Sequence, residues 1–181
     1  TVFARTGPKE AGASGISAFL VERDTPGLTV GRPYKKMGFR GSHESDVIFE
    51  DCRVPASAML GREGGGFKNA MKSLDHARLH MAAVATGQCY RLIDEGVRYA
   101  MERKQFGQPI ANFQMIQAMI ADSQAEAFAA RSMVEKAAME KDRGMKVTME
   151  AACCKYFATE AAFRIADRML QIHGGSGYIK E

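Results

Sequence analysis

Met101-Glu102-Arg103-Lys104-Gln105-Phe106-Gly107-Gln108-Pro109, followed by Phe113-Gln114, is the stretch that sets the architecture of this chain. Charged residues close a long helical pattern, and Gly107 with Pro109 stop it. Upstream, Leu74, Ala77, Met81, Val84 and Ala85 keep helical spacing, which predicts a first helix over 67–102. Downstream, Ile116, Met119, Ile120, Ala127, Ala130 and Val134 mark a second over 113–142, ended at Asp142-Arg143-Gly144. A third is expected over 148–172. Its Ala152, Cys153, Phe157, Ala161, Phe163, Ile165, Met169 and Leu170 occupy most of the circumference. A helix apolar nearly all round is normally enclosed by other helices. Three long antiparallel helices of this kind therefore call for at least one more, from further chain or from another copy.

Before Gly61 the pattern changes. Ile16 to Val21 is a short apolar run ended by the turn Asp24-Thr25-Pro26-Gly27, and Leu28-Thr29-Val30 alternates briefly. Ser45 to Pro55 reads as a strand stopped by proline. Ala11 to Ser14 reads as a hairpin loop, and Thr1 to Arg5 as an entry in mid-sheet. A lone sheet of about four strands would leave a bare edge, which implies partner strands elsewhere. Gly61 and Gly64-Gly65-Gly66 read as a flexible junction. The expected fold is α+β: an antiparallel β-sheet segment over 1–60, then a long antiparallel helical bundle over 61–181.

The chain has 181 residues, 46% of them hydrophobic and 25% charged, as expected of a globular protein with a real core. Its net charge of +4 slightly favours anionic ligands. Lys and Arg form no stripe of the kind nucleic acid requires, and no apolar run approaches the ~20 residues of a membrane span. Cys52, Cys89, Cys153 and Cys154 form no C-x-x-C pair, so all four are read as free thiols of a reducing compartment.

Three constellations carry chemistry. Arg103, Phe106 and Gln114 put a guanidinium, a stacking face and an amide between two helices. The same residues also suit a basic helix end with a hydrophobic clasp. Gln171-Ile172-His173-Gly174-Gly175-Ser176-Gly177-Tyr178 is first a helix C-cap, and its bare glycines also admit close approach of a ligand. It is neither a Rossmann turn nor a P-loop. Asp75 and Arg78 lie three apart, as a helical ion pair or as a polar pair lining a site. His76 and His80 have the i, i+4 spacing of a metal pair, but no third ligand is evident.

The wording of these segments resembles the acyl-CoA dehydrogenase family. The stretches are KKMGFRGSHESDVIFEDCRVPASAMLGREGGGF (35–67), SLDHARLHMAA (73–83), ERKQFGQPIANFQMIQ (102–117) and QIHGGSGYIKE (171–181), in the family's order. The resemblance implies FAD as cofactor, with Arg103, Phe106 and Gln114 contacting the dinucleotide of a neighbouring subunit. It implies that Gln171, Gly174 and Gly175 hold it near its adenosine half. Asp75 and Arg78 are implied to line the acyl-CoA site along the pantetheine arm. The implied activity is oxidation of an acyl-CoA thioester to the 2,3-enoyl-CoA, in fatty acid or branched-chain acyl-CoA metabolism. Electron-transfer flavoprotein is the implied acceptor and a dimer or tetramer the implied assembly, in cytoplasm or mitochondrial matrix.

Departures qualify this. The family's earlier flavin loops (T-E-P-x-x-G-S-D-like and W-I-[ST]) are absent. Where a subset of members carries its catalytic base, just before the helix Arg, this chain has Ala77. Glu181 does not match the base of the other members, which lies in a Tyr-Glu-Gly-Thr setting. No catalytic residue is therefore assigned here, and the chain alone is expected to be inactive. The alternatives are a flavin-dependent oxidase or monooxygenase on the same fold, and a non-enzymatic helical DNA-binding relative.

Overall fold

The computed structural model describes residues 1–180 and divides the chain into two compact units, Thr1–Lys72 and Ser73–Glu181. In the first unit, strands β1 (Val2–Arg5) and β2 (Ile16–Phe19) pair antiparallel, with Val2 opposite Phe19 and Arg5 opposite Ile16. The connection, Lys9–Gly15, is a kinked 3-10 stretch. Arg5 ties it down by donating to the carbonyls of Pro8 (3.2 Å) and Gly12 (3.3 Å). Strands β3 (Leu28–Val30) and β4 (Val47–Phe49) form a second antiparallel pair.

The single sheet of about four strands is thus corrected to two separate two-stranded ladders. The free edge of β2 is already taken: Leu20 N–H donates to Ala58, Leu60 N–H donates to Ala18, and Phe19 bridges Met59. The strand expected over 45–55 shrinks to Val47–Phe49 because Asp51 adopts a φ of +47°, which breaks extended backbone.

The glycine run is not a flexible junction either. A Cβ at Gly64 would lie 2.3 Å from the Ser14 carbonyl oxygen, and one at Gly66 would lie 2.5 Å from the Ser17 carbonyl carbon. These glycines permit close packing. Ser17, fully buried, accepts the Gly64 N–H at 2.9 Å and shares a hydrogen bond with Thr6.

Helix α1 (Gly66–Glu102) begins in the first unit and runs 37 residues. A two-stranded hairpin, β5 (Lys104–Gln105) and β6 (Gln108–Pro109), reverses the chain into α2 (Gln114–Asp142). Gly144, at φ +78°, ends α2, and α3 (Thr148–His173) returns antiparallel.

The helices meet through small side chains. Ala82 and Ala85 of α1, Ala130 and Ala137 of α2, and Ala151, Cys154 and Ala158 of α3 form one buried cluster with Leu79. A second joins Cys89, Ile93 and Ala100, Ala127, and Ile165, Met169 and Ile172. Gly96 completes that seam, since a Cβ there would stand 2.3 Å from Met169 Sδ. Across α2 and α3, Glu126 accepts from Arg164 at 3.0 Å and from Arg168 at 3.1 Å. Burial pushes the Glu126 carboxyl up, but the two guanidinium groups outweigh it and hold the carboxyl below its ordinary value.

Helix α3 is apolar on two faces, and the chain covers one of them. Ala151, Ala158, Ala161, Ile165, Met169 and Ile172 are buried, whereas Met149, Tyr156, Phe163 and Leu170, seven apart, stay exposed. Among the described residues, no helix is long and apolar enough to cross a membrane.

Candidate functional site

The hairpin after α1 decides what Arg103 and Phe106 can do. Arg103 N–H still bonds the Tyr99 carbonyl (2.8 Å), and its own carbonyl accepts from Ile110 N–H at 2.8 Å. Gln105 faces Gln108, leaving Phe106-Gly107 as the two-residue turn. Their φ values are +50° and +82°. A tight hairpin turn of this kind requires positive φ at both positions, which Gly107 adopts freely and a bulky residue does not. The Phe106 ring is 92% exposed, with only an edge-on approach to Phe113 at 6.1 Å. A strained and wetted aromatic is the sort of outlier that points toward function. The Arg103 side chain is exposed and forms no ion pair among the described residues. Gln114 opens α2, whose first turn carries no acidic residue to meet its free N–H groups.

The glycine turn is tied to this corner. Gly174 caps α3 at φ +55°, and Gly174–Gly177 forms one 3-10 turn. His173 Nδ1 hydrogen-bonds the Met169 carbonyl at 2.7 Å, and its ring stacks on Tyr99 with centroids 4.4 Å apart. Tyr99 Oη then donates to Ser176 Oγ at 3.2 Å. Tyr99 therefore links the turn to the helix end that holds Arg103. Nothing lies within 4 Å of a Cβ built at Gly174 or Gly175, so their backbone faces open space. Gln171 is exposed one turn earlier.

The six residues Arg103, Phe106, Gln114, Gln171, Gly174 and Gly175 thus collect where α1 and α3 end and α2 begins. Beside them, a groove of about 540 Å³ runs between α1 and α3, lined by Leu92, Phe163, Leu170 and His173 with Glu95 and Asp167 at its polar points.

Asp75 and Arg78 do not join them. Arg78 and Glu102 are 24 positions apart on α1, a rise of roughly 36 Å at ~1.5 Å per residue. At that distant end Arg78 donates to Asp75 Oδ1 at 3.0 Å, and Thr148 Oγ1 donates to Asp75 Oδ2 at 2.7 Å. His76, Ala77 and His80 are exposed beside them. No group of three or more metal-ligating side chains occurs among the described residues. Burial pushes the Cys89 and Cys154 thiols up, which disfavours the reactive thiolate. Glu181 lies outside the described residues.

Four residues of these networks were given no role by the sequence: Thr148 and Tyr99, and His173 and Ser176, which it marked only as part of the glycine stretch. Each acts across more than 70 positions of chain or through a ring stack, and no local spacing reports that.

Comparison with known proteins follows the same outline. Residues 64–181 match the family described as acyl-CoA dehydrogenase, C-terminal domain. The chain is 50% identical over 180 residues to an acryloyl-CoA reductase (NADH) of Anaerotignum propionicum, covering 99% of this chain and 45% of that protein. It is 43% identical to the CarC subunit of a caffeyl-CoA reductase-Etf complex of Acetobacterium woodii, again over 99% of this chain and 47% of the relative. Among solved structures, butyryl-CoA dehydrogenase from Megasphaera elsdenii superposes with a TM-score of 0.95 at 42% identity, over 98% of this chain and 46% of that one. The chain spans about half the length of the relatives it matches.

Proposed function

Since this chain belongs to the acyl-CoA dehydrogenase family, we propose that it forms part of a flavoenzyme acting on acyl-CoA thioesters. Residues 1–60 are read as the end of its β-sheet domain and 61–181 as its helical bundle. The observation that carries the proposal is the hairpin at the end of α1: an exposed Arg103, with no ion pair among the described residues, beside a Phe106 held in solvent at positive φ.

These residues fit a flavin dinucleotide. Arg103 offers a planar fork to a phosphate, Phe106 a face for stacking, and Gln114 and Gln171 donor and acceptor groups. Gly174 and Gly175 leave open backbone that ligand atoms can approach closely, where a side chain would hold them off. FAD, when bound, would supply the acceptor for the hydride from the β-carbon of the thioester, the α-proton going to a base. Asp75 and Arg78 line the acyl-CoA side. Ala77 cannot accept a proton, so the base is assigned to the half of the protein that this chain does not span.

The relatives whose names denote reductases favour a second reading, in which the same residues serve reduction of an enoyl-CoA. Assays in both directions with one flavin-loaded preparation separate the two. Electron-transfer flavoprotein is the proposed electron partner and a second copy the proposed neighbour whose flavin Arg103 meets. Four unpaired thiols suit a reducing compartment, cytoplasm or mitochondrial matrix.

The test is Arg103→Ala in the full-length protein. A charge-assisted contact to phosphate is worth about 1.5–3 kcal/mol, so flavin affinity falls roughly 10–100-fold and the protein bleaches on gel filtration. Unchanged flavin content contradicts the reading.

A further inference from the structure

We propose that Thr148 is a positioning residue for the acyl-CoA groove, acting on Arg78 through Asp75. The inference rests on the reading of Asp75 and Arg78 given above.

The starting observation is a threonine in the wrong place for its usual task. Thr at the start of a helix ordinarily caps the free N–H groups of the first turn. Here the capping position is Val147, which makes no side-chain cap bond, and Thr148 is the first helical residue. Val147 is buried, and its carbonyl accepts the Ala151 N–H at 2.9 Å, which fixes the register of the helix start. Thr148 Oγ1 is left to reach α1 instead, donating to Asp75 Oδ2 at 2.7 Å. The other oxygen, Oδ1, accepts from Arg78 Nη1 at 3.0 Å.

The consequence is a locked carboxylate. With one oxygen engaged from its own helix and the other from α3, Asp75 cannot rotate without breaking a charge-assisted bond. The Arg78 guanidinium is therefore held at one point. Arg78, Lys146 and Thr148, with Met149, Glu150 and Ala152, line a groove of about 530 Å³. Two cations, the Glu150 carboxylate and the apolar Met149 and Ala152 give a mixed lining with a net positive charge, which suits a flexible chain carrying polar and anionic groups, as in an acyl thioester of CoA. A branched side chain, stiff about χ1, is the better choice for a single fixed donor.

The experiment uses the full-length protein loaded with flavin, and four substitutions: Thr148→Val, Thr148→Ser, Arg78→Ala and Asp75→Asn. Loss of a hydrogen bond to a charged group, felt indirectly, raises KM for acyl-CoA about three- to tenfold in Thr148→Val, with the effect falling on KM far more than on kcat. Thr148→Ser retains the donor and recovers KM to within about twofold. In the Asp75→Asn background Thr148→Val adds less than about twofold, because the two residues act in one chain. If Arg78→Ala raises KM and Thr148→Val does not, the positioning role is wrong while the groove stands. If Arg78→Ala leaves KM unchanged, the reading of the groove fails and the proposal with it. A Thr148→Val protein that loses thermal stability but keeps KM shows a purely structural role and overturns the proposal.

Discussion

The two ends of α1 solve opposite problems. Near its start, Asp75 has both carboxylate oxygens engaged by groups of its own chain, Arg78 and Thr148. Past its end, Arg103 and Phe106 are exposed and Arg103 has no ionic partner among the described residues. The first is a finished network whose geometry is set before any ligand arrives. The second is a set of exposed groups on a hairpin, proposed above to meet a ligand, with the Tyr99–His173 stack and the Tyr99–Ser176 hydrogen bond behind it. A preorganised network improves orientation, whereas unpaired groups keep their interaction energy for the ligand.

That contrast can be broken by substitution. The largest effect is expected at Gly96, where a Cβ collides with the buried Met169. Gly96→Val overpacks the seam and costs about 1–3 kcal/mol in urea unfolding. Hydrogen exchange should rise around the turn 173–177 and stay unchanged around Asp75. Equal loosening at both ends would show that the effect is not local.

Phe106→Gly comes next and has the opposite sign. Relieving positive φ at a bulky residue stabilises the protein by roughly 1 kcal/mol, while flavin binds more weakly for want of the ring. A variant that is less stable, or that binds flavin as before, removes the case for strain kept for function.

The smallest effect concerns Glu126, which lies between the two ends. Its carboxyl is held below its ordinary value in the folded state by Arg168 and Arg164, against the opposing effect of burial. Its stabilisation is therefore complete above the ordinary carboxylate value of 4.5 and is lost as pH falls through the lower folded value. Glu126→Gln should be less stable than the parent at pH 7, by at most about 1 kcal/mol. The gap should close in acid. A gap that widens below pH 4 would reverse the sign assigned to this cluster.

Much of this fold was legible in the sequence. Helix spans expected over 67–102, 113–142 and 148–172 lie within one residue of α1, α2 and α3, because long apolar periodicity and Gly or Pro stops are local signals. The β region was less legible. Its strands are three or four residues long, and the segment from Ala58 to Leu60 that takes the edge of β2 lies about forty positions away in sequence. The glycine run misled because glycine serves close approach as well as flexibility, and only the positions of Ser14 and Ser17 tell the two apart. At the site, residue types marked Arg103, Phe106 and the glycine turn. They did not show that Phe106 occupies a positive-φ turn position, nor that Thr148 leaves its capping role for Asp75. Those facts depend on register and on contacts between distant segments.

The central claim is that α1 serves two different ligands at its two ends. The direct measurement is a crossed pair of titrations on the full-length protein, flavin and acyl-CoA against Arg103→Ala and Arg78→Ala. Arg103→Ala should lose flavin affinity about 10–100-fold, and Arg78→Ala should weaken acyl-CoA binding about tenfold with flavin retained. Loss of the same ligand by both variants, or loss of acyl-CoA by Arg103→Ala with flavin unchanged, would contradict the account.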